Sequence, residues 1–333
     1  MSVFIGRKLN IGLGIEATRG TAVAAQFWFP KMDFSVEDQI ETVVDDASIG
    51  IIEDAQTQEI TKKKSAAMLS GRITDIRFGL ILMALMGTDT KTTTSGESAV
   101  YDHTFSILES AQHPSLTVVV SEPNATGSSS LAYALSMLDQ LDINFGVGVW
   151  ATFKAQFIGN GNATASSSPS FSAENSFNPQ YATFKVASSL SGLSGASAIN
   201  VRNGSISFKL NVEDDQTIGN LAPVDRYNKQ FQITGQLTLT YNARTYIDTD
   251  MLGDALVAMQ LNLINTAVTI GSTSNPTLQI SLAKCKITEV ARSNKNNDIM
   301  LQTIKFKAYY SMSDTQMVAI LLRNTQSAAY AHA

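Results

Sequence analysis

The sequence predicts a mainly β protein. Three observations carry that prediction: long runs in which apolar and polar residues alternate, an opposite face of those runs rich in hydroxyls and amides, and only two segments of helical character. The longest run is Leu141, Ile143, Phe145, Val147, Val149, Ala151, Phe153, Ala155 and Phe157, with Asp142, Asn144, Gly146, Gly148, Thr152, Lys154 and Gln156 between them. A period of two buries one face of a strand and wets the other. Such a run exceeds the usual strand of about 5 to 6 residues, so either Gly146 and Gly148 bend it or it runs beyond one compact domain.

Ile206, Phe208, Leu210 and Val212 repeat the alternation, as do Phe231, Ile233, Leu237, Leu239 and Tyr241, and more briefly Leu278, Ile280, Leu282 and Ile304, Phe306, Ala308. Half-wet strands of this kind read as antiparallel sheet. The first exception is Ile76 to Met86, where Thr74 or Asp75 supplies a cap and Gly87 a stop. Its apolar residues cover nearly all sides, more than a single core contact hides. The second is Asp248 to Gln260, with Met251, Leu252, Ala255, Leu256 and Met259 on one helical face. Each predicts one short helix packed on a sheet.

A chain of 333 residues is long enough for about two domains. With 24 Lys and Arg against 29 Asp and Glu, it lacks the positive field of a duplex-DNA binder. Its 1 cysteine, Cys285, excludes an internal disulfide framework and a multi-thiolate zinc site, and its place among alternating residues predicts a buried apolar group. Met1 to Gly20 carries Arg7, Lys8, Glu16 and Arg19 and does not read as a secretory signal. The apolar stretch Phe78 to Met86 is far below the roughly 20 residues of a membrane-crossing helix.

The two halves echo each other. Asp45-Asp46-Ala47-Ser48-Ile49-Gly50 matches Asp214-Asp215-Gln216-Thr217-Ile218-Gly219, and Ser70-Gly71-Arg72-Ile73-Thr74 matches Thr234-Gly235-Gln236-Leu237-Thr238. Ser115-Leu116-Thr117-Val118 then parallels Thr277-Leu278-Gln279-Ile280, and Phe153 to Phe157 parallels Phe306 to Tyr310. Four matches in one order predict a duplication. The expected units are 1–159 and 181–333, joined by a Ser/Asn-rich linker or loop over 160–180. Two such units in one chain suit a pseudo-symmetric ring.

The run Gly12-Leu13-Gly14-Ile15-Glu16-Ala17-Thr18-Arg19-Gly20-Thr21 is similar to the G-x-E-x-x-x-G-T opening of tail tube (major tail) proteins of long-tailed bacteriophages. Lys62 to Gly87, a lysine-rich strand followed by Ser70-Gly71-Arg72 and an apolar helix, also resembles them. The resemblance implies a duplicated tail-tube fold, each half a β-sandwich or half-barrel with one short helix, whose long strands close a β-barrel across subunits. It implies a virion tail protein, assembled in the host cytoplasm, whose rings stack into a channel for genome delivery. Trimers with pseudo-sixfold symmetry are expected. So are a tape-measure protein, tail-tip and tail-terminator proteins as neighbours, with genomic DNA in transit and no membrane insertion.

Candidate contacts follow. The acidic hairpin residues Asp45, Asp46, Ser48, Ile49 and Gly50, with their copies Asp214, Asp215, Thr217, Ile218 and Gly219, are expected to touch the next ring. Phe78, Leu82, Leu85, Leu252 and Leu256 are expected at lateral contacts within a ring. Glu37, Asp38 and Glu41 are candidates for an acidic lumen that repels phosphates, or for pairing with Lys62, Lys63 and Lys64 of the next ring. Phe27, Trp28 and Phe29 read as a core strand or an anchoring patch, and Thr315 to Arg323 as a short helix or strand docking on a neighbour.

Catalytic signals are weak. His103, His113 and His332 are scattered and read as loop or surface residues, and Asp102-His103 lacks a nucleophile elbow. Asp248-Thr249-Asp250 begins like a calcium loop but has Met259 at the twelfth place. No enzyme activity and no cofactor are expected. The other structural reading is a β-sandwich decoration or receptor-binding module of a virion; a membrane β-barrel lacks aromatic girdles.

Overall fold

The computed structural model describes residues 3–54, 56–124, 127–165, 167–293 and 295–331. The first half holds β1 (Asn10–Ile15), β2 (Phe27–Phe29), β3 (Lys31–Asp45), β4 (Thr57–Arg72), α1 (Phe78–Met86), β5 (Gly87–Thr93), β6 (Tyr101–Ile107), β7 (Leu116–Asn124), β8 (Gly127–Gly146), β9 (Thr152–Gly159) and β10 (Asn162–Ala165). The second holds β11 (Ala182–Ala187), β12 (Ala198–Ile199), β13 (Val201–Lys209), β14 (Glu213–Asp215), β15 (Asp225–Tyr227), β16 (Gln232–Thr240), β17 (Val257–Ile264), β18 (Thr277–Ser293), β19 (Leu301–Tyr309) and β20 (Val318–Asn324).

The fold is mainly β. A central antiparallel sheet runs β3–β4–β9–β8–β13–β16–β19–β18. Alternation decides its faces: Leu69, Phe153, Leu141, Phe208, Ile233 and Phe306 are buried on one side. The other side carries Ser70, Lys154, Asp142, Ser207, Thr234 and Lys307 in directly opposed pairs. The long alternating run is a hairpin rather than one strand. It turns after Gly146, and Gly148 takes a left-handed φ of 78°, as a tight turn requires.

Strands β8 and β18 outgrow the central sheet. The first part of β8 pairs with β7 and β10, and a bend at Leu135, φ 49°, re-aims it. The first part of β18 pairs with β17 and β20. The order β2–β1–β7–β8–β9–β4–β3 in the first half therefore repeats as β12–β11–β17–β18–β19–β16–β13 in the second. Gly71 lies opposite Phe153 and Gly235 opposite Phe306. In each half the glycine leaves room for that ring. The Leu116 and Leu278 segments, matched in the sequence, are not counterparts: Leu116 lies on β7, whose partner in the repeat is β17, whereas Leu278 lies on β18.

Helix α1 is apolar nearly all round because the chain covers all of it but Met83, which is half-buried. Phe78, Leu80, Ile81, Leu82 and Leu85 are each at most 1% exposed, and the Tyr330 ring fills the space beside Gly79. The Tyr330 hydroxyl donates to the Ile76 carbonyl at 2.6 Å. Neither Thr74 nor Asp75 caps the helix: Arg77 stands at its start without a side-chain cap bond, while the Asp75 carboxylate accepts from the amide of Asn175 at 2.9 Å. Gly87 ends it as expected, in a left-handed φ of 85°. The second expected helix does not form. A π-helical turn spans Tyr246–Met251, and the chain then leaves through Gly253 and Asp254, φ 59°. Residues after it serve as β17 because its place between β11 and β18 buries both faces.

The 160–180 segment is partly built into the fold, since β10 pairs with β8 and Phe177 is 1% exposed. β20 pairs with β18 and β6 of its own chain, so that tail is an internal strand. The halves are also tied through Glu97, whose carboxylate accepts from the Ser272 and Thr273 amides at 2.7 Å.

Gly235→Ala should destabilise by about 1–3 kcal/mol, because a Cβ there falls 2.3 Å from the Phe306 ring and 2.8 Å from the Ser205 carbonyl oxygen. Gly71→Ala, 3.1 Å from Phe153, should cost less; denaturant unfolding of both variants checks the order. The amides of Ser272 and Thr273 hold the Glu97 carboxyl at a pKa of about 2, against an ordinary 4.5. A depressed folded-state value stabilises above the unfolded one, so this contribution is present above pH 4.5 and is lost as pH falls toward about 2. Denaturant midpoints across that window should fall less steeply in Glu97→Gln than in the parent chain.

Candidate functional site

What the described fold leaves uncovered is an exposed hairpin with apolar residues. The hairpin of β3 and β4 extends as an arm beyond the sheet: Glu37 to Asp45 and Thr57 to Lys63 are exposed on both faces. Ile40, Val43, Val44 and Ile60 are 40–58% exposed, and at the tip Ile52 is fully exposed. A two-stranded ribbon is marginal in water without a packed face, and apolar residues on both sides of it mark a contact surface.

Asp45, Asp46, Ser48, Ile49 and Gly50 all lie exposed at the arm's tip. Gly50 takes a left-handed φ of 83° and its counterpart Gly219 one of 91°. Glu37, Asp38 and Glu41 lie on the arm's outer strand. Glu41 meets Lys62 at 2.9 Å and Lys64 at 3.9 Å, and the hydrogen bond from Lys62 lowers its pKa. The lysines expected on another ring thus stand on the same hairpin. Lys63 uses its backbone amide on the Leu221 carbonyl at 2.7 Å.

The second hairpin, β14 and β15, is clamped. Arg226 is fully buried and pairs with Asp214 at 2.7 Å; it also donates to the carbonyls of Leu135 and Gly159 and to Asn160 Oδ1. Burial pulls the Arg226 pKa down and Asp214 opposes that shift. Arg19 holds Asp225 at 2.6 Å. Asp214 is therefore an anchor, and Asp215 accepts from the Tyr227 hydroxyl at 3.4 Å. Thr217, Ile218 and Gly219 remain at an exposed tip. Sequence reasoning missed Arg226, because its partners come from distant segments and no local pattern marks them.

The lateral-contact residues divide. Phe78, Leu82 and Leu85 are 0% exposed inside the chain's own core and offer nothing to a neighbour. Leu252 and Leu256 are exposed, at 69% and 44%. Trp28 and Phe29 are core residues, at 3% and 4%. In the central sheet, among the described residues, β3 is paired only on its β4 side, and β18 beyond Cys285, where the ladder with β17 ends, only on its β19 side.

Catalytic groups are committed elsewhere. His103, expected at the surface, is fully buried, with Nδ1 2.8 Å from Asp89 Oδ2 and Nε2 3.0 Å from the Gln326 carbonyl. Burial draws His113, also internal, below its usual pKa; His332 lies outside the described residues. Asp102 is paired with Arg323 at 2.6 Å, and Asp248 with Arg244 at 2.8 Å. Burial pushes the Cys285 thiol up to about 12. Among the described residues no group of three or more His, Cys, Asp or Glu could hold a metal ion.

A family model described as "Phage tail tube protein" matches residues 6–308. No curated protein matches the chain. A solved structure described as "Crystal structure of Hcp protein" is 12% identical, over 41% of this chain and 96% of that chain, with a TM-score of 0.23; a likeness that low carries no argument.

Leu82→Asp should unfold the protomer rather than merely block assembly, because it places a carboxylate in a site with no exposure. A loss above about 3 kcal/mol is expected. Circular dichroism melts test this, and a folded variant that fails only to associate would restore the helix to an interface.

Proposed function

The chain belongs to the phage tail tube protein family, and from that premise we propose that its copies self-assemble into stacked rings forming the tail tube through which the genome leaves the virion. The arm of β3 and β4 carries this reading: its apolar residues are exposed on both faces and find no cover in their own chain. Burial against another copy supplies the missing face, at about 25 cal/mol per Å² of apolar surface removed from water. In this role binding replaces chemistry, and no catalytic step is required.

The arm tip, Asp45 to Gly50, and the second tip, Thr217 to Gly219, are placed to reach an adjoining ring, with Asp214 and Asp215 positioning the second. Leu252 and Leu256 are lateral contacts. Units 1–159 and 181–333 make each ring a trimer with pseudo-sixfold symmetry. Glu37, Asp38 and Glu41 add negative charge at the arm's base, which lowers the affinity of a nearby phosphate backbone. The remaining partners are a tape-measure protein within the growing tube, a tail-tip complex and a terminator, with assembly in the host cytoplasm.

Negative-stain microscopy of the full chain at rising concentration should give hollow filaments or stacked rings. A compact, monodisperse particle with a saturable ligand would move the reading to a decoration or receptor-binding module. Deleting Asp45 to Gly50 should leave soluble rings or protomers without filaments; filaments of normal length from the deletion would remove the tip from the stacking contact.

A further inference from the structure

Residues 325–331 follow β20 as a strap laid against β5, β6 and the start of α1. The Tyr330 ring drops beside Gly79 and packs on Phe105 and Phe27, with centroids 6.0 and 6.1 Å away. Its amide donates to Asp89 Oδ2 at 2.8 Å and its hydroxyl to the Ile76 carbonyl at 2.6 Å. Lys91 Nζ reaches the Ser327 carbonyl at 2.6 Å. These residues belong to no helix or strand, so side-chain contacts hold them to the body.

Beneath the strap His103 sits between two acceptors. Nδ1 is 2.8 Å from Asp89 Oδ2 and Nε2 is 3.0 Å from the Gln326 carbonyl oxygen, and both side chains are buried. A neutral imidazole has one N–H and turns the lone pair of its other nitrogen on an oxygen; the imidazolium alone donates on both sides. Turning the ring over would set C–H groups against both oxygens, so its orientation is fixed as well. Asp89 Oδ2 accepts from two donors, and Oδ1 is buried with no hydrogen-bond partner among the described residues. A proton on Oδ1 would have nowhere to go, so the carboxyl is ionised and His103 is its counter-charge.

We infer that residues 325–331 are a pH-released strap, locked while His103 is the imidazolium and freed from Gln326 onward when that ring loses a proton. The bond from Nε2–H to Gln326 exists in the protonated form alone, so it is present at lower pH and lost as pH rises. The proton that stays is on Nδ1, because the Asp89 carboxylate is a stronger acceptor than a carbonyl. Nε2 then faces the Gln326 oxygen lone pair to lone pair in a buried site, which disfavours the closed strap.

The other groups around the ring are accounted for. Lys91 stands directly opposite His103 on β5, its ammonium drawn off to Ser327 and 5.0 Å from the Tyr101 ring centroid. β20 sets the buried Leu322 opposite the ring, and the adjoining Asp102 and Arg323 pair with each other. On the strap, burial raises the Tyr330 phenol well above its ordinary value, and Asp75 and Glu174 act on it in the same direction. Burial raises the carboxyls of Asp75 and Glu174 too, so their own titration has to be separated from that of His103.

Two measurements on the full chain test the strap. Magic-angle-spinning NMR of isotope-labelled protein reads protomers and assemblies alike, with His103 assigned through Asp102 and Thr104. Both His103 nitrogens should carry protons at low pH, and Nε2 should lose its proton as pH rises. Across that same range, hydrogen exchange of the peptide holding Gln326 to Tyr330, corrected for intrinsic rates, should lose protection at least about tenfold, while β18 keeps its own. His103→Gln, neutral at every pH, should show weak strap protection and no such step. A His103 ring with one bare nitrogen while the strap is protected overturns the inference, as does a ring that keeps both protons until β18 itself opens. A step of equal size in His103→Gln assigns the release to Asp75 or Glu174 and removes His103 from it.

Discussion

An antiparallel sheet must do something with its outermost strands, and the rest of this molecule follows from that constraint. Each strand carries a donor and an acceptor per residue on both sides, and only interior strands satisfy both. Here the interior is well provided for. Six strands of the central sheet have neighbours on both sides, their apolar faces share one core, and α1 is sealed beneath them by the C-terminal segment and Tyr330. In that sheet, among the described residues, the one-sided strands are β3 with its arm and the end of β18.

The halves behave as one body because several long-range polar contacts cross between them. Arg226 reaches from the second half to carbonyls beside β8 and β9, Glu97 gathers the amides of Ser272 and Thr273, and β20 pairs with β6. Arg226 is fully buried, so its charge needs Asp214 and the carbonyls together. That makes the short hairpin a fixture of the protomer, while the long one touches it through the Lys63 amide on the Leu221 carbonyl and beyond that point pairs Glu41 with lysines of its own ribbon.

Much of the sheet was legible in the sequence, because period two is a local signal. Phe153, Ala155 and Phe157, or Ile304, Phe306 and Ala308, need no partner to declare which face is inside. The matched Gly71 and Gly235 declared the repeat for a reason the structure makes plain, a phenylalanine ring resting on each. Asp248 to Gln260 misled because helical spacing was allowed to outweigh Gly253 and Asp254, and because a strand buried on both faces has no polar side to reveal it. His103 and Arg226 were invisible for a different reason. Their environments are assembled from residues hundreds of positions apart in some cases, as with Gln326 beside His103. The candidate contact residues were half legible: the acidic tips are exposed, whereas Leu82 and its neighbours, greasy enough to suggest an interface, are spent inside the chain.

The inequality of the two hairpins has a geometric consequence. The repeats agree in the strands of the sheet and differ in what lies between two of them: β3 and β4, of 15 and 16 residues, run on into an exposed arm, whereas between β13 and β16, of 9 residues each, the chain forms only the separate short hairpin of β14 and β15 held by Arg226. In any closed circle of this chain, however many members it has, long projections occur once per polypeptide while wall segments occur twice. Whatever seats on those projections meets a pattern of half the rotational order of the bore, so its angular positions are indexed by molecules and not by modules.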